Sequence, residues 1–212
     1  MSMICGLMGL SPTQIAALRA TPTLAGDVAF STAMSRMLSR TSQMSPEARQ
    51  AAEAQVRAAM EQALGPERAA QLAAARERLG PFEEALSLEK SWHMLHYLFT
   101  GHVYDAPAPG NALVAGEDIG DDMGYGPARL HEPKATQEFA RFLQTQDVSR
   151  LQERVNYREM TSLQIYSMPM GRGTDAQFET ELRQDVGIFF PKLRDYVVKM
   201  ADKQYGLLIW MS

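Results

Sequence analysis

A single cysteine, Cys5, stands among the 212 residues. No disulfide can therefore close within the chain, and this usage fits a reducing compartment better than a secreted, cross-linked framework. Its neighbours in MSMICGLMGL include no histidine or arginine to hold a thiolate, so Cys5 reads as a buried structural residue. Long apolar runs are also missing. No stretch approaches the ~18 residues of a membrane span, and the apolar opening lacks the basic flank and length of a secretory leader. The expected compartment is the cytoplasm, with no membrane partner. Positive charge is not in excess either: 21 basic residues stand against 25 acidic ones, a net charge of −4. That withholds the broad basic footprint of general nucleic-acid binding. No nucleophile elbow, C-x-x-C pair or kinase motif set is present, and no phosphate-binding glycine fingerprint sits in a strand–loop–helix setting. No cofactor, metal or catalytic residue is therefore expected.

What is present suits a single globular core, with 45% hydrophobic and 22% charged residues. A chain of this length buries roughly 70% of its unfolded surface and needs no metal or disulfide to fold. Fourteen methionines are scattered as core filler rather than gathered in one stripe. Residues 1–9 read as a buried strand. Ser11-Pro12 starts a helix, Ile15 and Leu18 face inward, and Thr21-Pro22 ends it. Partial helical spacing follows over 27–44. Residues 45–79 are alanine-rich and open on Ser45-Pro46. There Ala52, Val56, Met60 and Leu64 recur every four residues, and Gly65-Pro66 divides the stretch into a helical hairpin. This hairpin, placed over 45–80, is expected to be an appendage inserted into one domain spanning 1–212.

The run 86–101, LSLEKSWHMLHYLFTG, reads as the strongest helix, with Gly101 as its stop. Helical spacing returns over 134–145, 147–160 and 176–203, the last kinked or divided at Pro191. A loop covers 167–174, and 205–211 form a terminal strand. The strands at the two ends are natural neighbours in one sheet. The expected fold is α+β: a small mixed sheet including the N- and C-terminal strands, flanked by several helices.

Two blocks carry polar detail beyond what packing requires. His93 and His96 stand three residues apart and can share a helix face, but two ligands do not make a metal site. The segment 116–129 places Glu117, Asp118, Asp121 and Asp122 among glycines, with Tyr125 and Arg129 following. Its spacing is not that of a calcium loop. The plain reading is a loop whose aspartates cap turns and whose Arg129 pairs with one of them. The functional reading is a pocket built by Trp92, His93, His96, Glu117, Asp121, Asp122, Tyr125 and Arg129. Trp92 and the histidines need hydrogen-bond partners, so the loop is expected to fold back onto the helix and bond at least one histidine directly.

These two blocks carry a resemblance. The W-H-x-L-H-x-L-x-T-G pattern over 92–101 and the N-A-L-x-x-G-x-x-I-G-x-D-x-G-Y-G-P-A pattern over 111–128, with the MSMICG opening and the closing apolar strand, resemble the YfbM-like family of small bacterial proteins. The likeness covers about residues 1–20 and 86–212. The 40–80 segment looks longer than in the usual member, and Ser167-Met168-Pro169 departs from the family pattern, in which proline follows at once after the Ile-Tyr pair. The resemblance implies an α+β fold and no particular reaction. By association it implies an immunity protein, a non-catalytic cytoplasmic protein that binds and neutralises a cognate bacterial toxin. The alternative is a small hydrolase or transferase, with His93 or His96 as base, Asp122 orienting it and Arg129 holding an anionic group.

Overall fold

Two apolar strands from opposite ends of the chain lie side by side within the sheet of the computed structural model, which describes residues 3–39 and 46–212. Strand β1 (Cys5–Leu10) pairs antiparallel with β5 (Gly206–Met211) over its whole length, Cys5 opposite Met211 and Leu10 opposite Gly206. Three short strands extend this pair: β2 (Leu86–Glu89), β3 (Glu117–Ile119) and β4 (Ala128–His131). The order is β2-β1-β5-β4-β3 with every pair antiparallel, so the α+β fold holds and the sheet is antiparallel rather than mixed. Both edges are short, which limits pairing with other chains.

Every residue of β1 and β5 is buried, because helices cover both faces of the sheet. Alternation along the strands sorts side chains into two cores. Met8, Leu10, Leu130, Leu208 and Trp210 face α1 (Pro12–Ala20), α2 (Leu24–Ser39) and α4 (Pro66–Leu79). Cys5, Leu7, Leu207, Ile209 and Met211 face α5 (Trp92–Thr100), α6 (Pro133–Thr145), α7 (Val148–Glu153), α8 (Tyr157–Ser162) and α9 (Asp175–Asp202). Gly6 lies opposite Trp210, and a Cβ there would stand 2.4 Å from the indole, so the absent side chain is what seats the ring. Ser11 caps α1 through Gln14 in a reciprocal capping box, with Pro12 at the first turn.

Several sequence expectations are corrected. Residues 86–89 are a strand, not the start of the helix: Leu86-Ser87-Leu88-Glu89 alternates, pairs with β1, and turns at Glu89, whose φ is 49°. The 147–160 stretch is two helices, because Asp147 and Asn156 each cap a new start with a side-chain oxygen. Helix α9 runs unbroken through Pro191, held on one core by Leu182, Val186, Phe190, Leu193, Val197 and Met200 on both sides of the proline. A helix occupies 24–39 of the partly periodic 27–44 stretch; residues 40–44, the proposed Ser45 cap, and the Ala52, Val56 and Met60 side chains lie outside the described residues.

Helix α3 (Pro46–Leu64) and α4 do form a helical pair. Yet α4 is no bare appendage: Leu72 and Ala75 are buried in the second core. Arg68 pairs with the buried Asp27 at 2.7 Å, and Arg76 donates to Ser31 Oγ at 2.7 Å. Burial lowers the pKa of that Arg76 guanidinium.

Candidate functional site

Helix α5 is buried on every side from Trp92 to Phe99, its two histidines included. Gly101 ends it in the left-handed conformation, donating its N–H to the Tyr97 carbonyl. Both histidines therefore project from a core helix.

His93 is pinned at both ring nitrogens. Nδ1 accepts the Tyr166 amide at 2.9 Å, which leaves Nε2–H to donate to the Val103 carbonyl at 2.8 Å. Its ring stacks between Trp92, 4.8 Å away, and Tyr104, 4.9 Å away. Burial lowers its pKa, so the ring stays neutral. His96 is fully buried, and among the described residues neither ring nitrogen has a hydrogen-bond partner. Burial, and after it the neighbouring His93, holds its pKa down to about 4, with the Tyr104 carbonyl pulling weakly the other way. The expected bond between a histidine and the 116–129 loop is thus replaced. His93 takes backbone partners at 103 and 166 instead, and His96 takes none.

The acidic residues divide between the faces of the sheet. Within the expected loop lie β3 and the start of β4, joined by residues 120–127. Gly120 permits the turn with a φ of +82°, and a Cβ there would meet the Pro22 carbonyl at 2.8 Å. Asp122 Oδ1 accepts the Gly124 and Gly126 amides at 2.7 and 2.9 Å, the expected turn cap. Glu117 turns to the α1 side and pairs with Arg19, which also pairs with Glu132. The Arg19 hydrogen bond lowers the Glu117 pKa. Asp121 lies 3.7 Å from Arg68. The arginine expected to serve this loop, Arg129, makes no ion pair among the described residues. Arg19 and Arg68, remote in sequence, take the carboxylates instead.

Arg129 points to the opposite face, where its charge is felt by Cys5 and His131. There it lines a cavity of about 340 Å³ together with Trp92, Tyr125, Tyr104 and Asp105; Met3, Val114 and Met211 complete the wall. The structure therefore brings together Trp92, Tyr125 and Arg129 of the sequence-derived set. It stacks His93 on two wall residues, Trp92 and Tyr104, and leaves His93, His96, Glu117, Asp121 and Asp122 themselves off the cavity wall. Tyr104 and Asp105 escaped sequence reading because they follow the α5 stop in an aperiodic stretch. Their one signal was an aromatic beside a carboxylate just after a helix end. Met3 and Met211 arrive through the β1–β5 pairing.

Trp92 is 3% exposed, and its indole N–H has no partner among the described residues. Burial pushes the Cys5 thiol far up, which disfavours the thiolate. His131 donates Nε2–H to the Ala112 carbonyl at 3.0 Å. Among the described residues no three histidine, cysteine, aspartate or glutamate side chains are grouped to hold a metal, and no helix is long and apolar enough to cross a membrane.

A family model described as a domain of unknown function, DUF1877, matches residues 1–210. No curated protein matches the chain. Among solved structures, the crystal structure of a protein of unknown function, YfbM from Escherichia coli, is similar. Its TM-score is 0.57 at 15% identity, over 99% of each chain, a likeness that carries the fold alone.

Proposed function

This chain belongs to the DUF1877 family, a membership that carries no assigned reaction, and from that premise we propose that it works by binding rather than by catalysis. The observation that carries this reading is the state of its bases. His93 has both nitrogens committed to backbone, His96 is sealed and neutral, and neither lies against Asp122, which is spent on its own turn. A general base must lie within reach of substrate, and among the described residues the cavity wall offers no imidazole: beside Arg129 and the aromatics it carries one carboxylate, Asp105, with no histidine against it.

In its most concrete form the protein is an immunity protein that binds a cognate bacterial toxin in the cytoplasm. The surface suited to that partner is the α3–α4 pair. Gln50, Ala54, Gln55, Ala58, Glu61 and Gln62 are small or polar and exposed along α3, while α4 roots the pair in the core. Electrostatic steering by the 117–122 carboxylates is modest, because Arg19 and Arg68 already offset Glu117 and Asp121. The test is co-expression with the product of an adjacent toxin gene. Growth rescue, lost when Gln55, Ala58 and Gln62 are each replaced by arginine, supports the reading; an unrescued toxin overturns it.

A further inference from the structure

The Arg129 cavity is independent of that toxin-binding reading. It sets a cation free of ion pairs among the described residues against an aromatic wall. Glu117 and Asp121, the carboxylates nearest the β3–β4 turn that pair with arginines, do so with Arg19 and Arg68. Asp118 stands opposite Arg129 in the β3–β4 register, yet the two form no ion pair. The guanidinium is therefore a fork with its planar donor face uncommitted, the group best suited to a carboxylate. Tyr104 and Tyr125 supply apolar surface around it, backed by the buried Trp92 ring, which stacks on His93 and Tyr166. A volume of 340 Å³ lies at the small end of ligand sites, enough for a single-ring molecule. Asp105 on the same wall and Asp118 beside Arg129 set a limit on charge. A dianion would meet two carboxylates for one cation, whereas a monoanion is balanced by Arg129 at lower cost.

We propose that this cavity is a binding site for a small organic monocarboxylate with a planar, apolar body, its carboxylate on Arg129 and its ring against Tyr104 and Tyr125. Phenylacetate is the probe. Titrated into the full chain, it is expected to bind saturably at one site by calorimetry and to shift the Trp92 indole resonance. Phenylacetamide, the uncharged isostere, and Arg129→Gln each weaken binding about ten- to a hundred-fold, the loss expected for one charge-assisted contact. Phenyl phosphate binds more weakly than phenylacetate, and Asp105→Asn narrows that gap. Tyr104→Ala, at a 57% exposed position, weakens binding several-fold while leaving the fold intact. Equal affinity for acid and amide in the unaltered protein overturns the proposal even if Arg129→Gln fails to fold. So does the absence of a saturable shift, or a folded Arg129→Gln that binds phenylacetate as tightly as the parent.

Discussion

Two histidines three residues apart on one helix do opposite things. His93 satisfies a backbone amide and a carbonyl; neither His96 nitrogen completes a hydrogen bond, though the Tyr104 carbonyl lies near enough to favour its charged form. Replacing His93 with leucine strands both backbone groups, at a cost of about 2–4 kcal/mol. Leucine at 96 removes two unpartnered nitrogens from the core, so His96→Leu is expected to leave stability unchanged or raised, whereas His96→Ala opens a void and lowers it. Chemical denaturation of the three variants checks the contrast.

His96 also carries a pH dependence. Its folded pKa of about 4 lies below the ~6.5 of a free ring. As the pH falls below ~6.5 the unfolded chain takes up a proton that the folded chain refuses. Stability is lost progressively down to about pH 4, by no more than about 3 kcal/mol. Carboxylates titrate in part of the same window. The measurable quantity is therefore the difference between parent and His96→Leu, whose stability should fall less steeply from pH 7 to 4. Sequence reading found these histidines but not their partners, since the Val103 carbonyl and Tyr166 amide belong to backbone and leave no mark in residue type.

Among the elements, α4 departs furthest from its expected role. The alanine-rich 45–79 stretch, with prolines at both helix starts, made the helical pair legible, because capping and periodicity are local properties. What α4 would meet was not legible, since Leu72 and Ala75 join a core shared with α2 and the sheet. Leu72→Ala is expected to cost about 2–5 kcal/mol, read as a lowered denaturation midpoint. Deleting 46–79 removes the cover over Val28, Leu208 and Trp210. The truncated chain is expected to be insoluble or to unfold at a much lower temperature, an outcome that scanning calorimetry on any soluble fraction would reverse by showing a parent-like transition. The reverse limitation applies to β2, β3 and β4. Strands of 4, 3 and 4 residues show too few alternations to register, and only their partners make them strands.

For the whole molecule, the α+β class and the pairing of the terminal strands were legible because a fully buried strand reads as a continuous apolar run. The cavity was legible only in part. Its arginine, Trp92 and Tyr125 lie in conspicuous blocks, but the wall joins segments from residue 3 to residue 211, and no local pattern encodes such a meeting. The same pairing sets the tolerance of the sheet. Gly6→Val should drive a side chain into Trp210 and cost about 1–3 kcal/mol or more, measurable by urea titration.

The pairing of β1 with β5 also has a consequence in time. On the ribosome, β1 is made before β5, so Leu7, Met8 and Leu10 wait for their partner while all the residues between the two strands are synthesised. At about 5–20 residues per second that interval is roughly 10–40 s. Closure across such a separation is intrinsically slow. Throughout it the first strand offers an unpaired apolar edge to any holding chaperone or protease. Nascent chains stalled before residue 206 should therefore be cut readily near Leu7, and the site should become protected only once Gly206–Met211 has emerged.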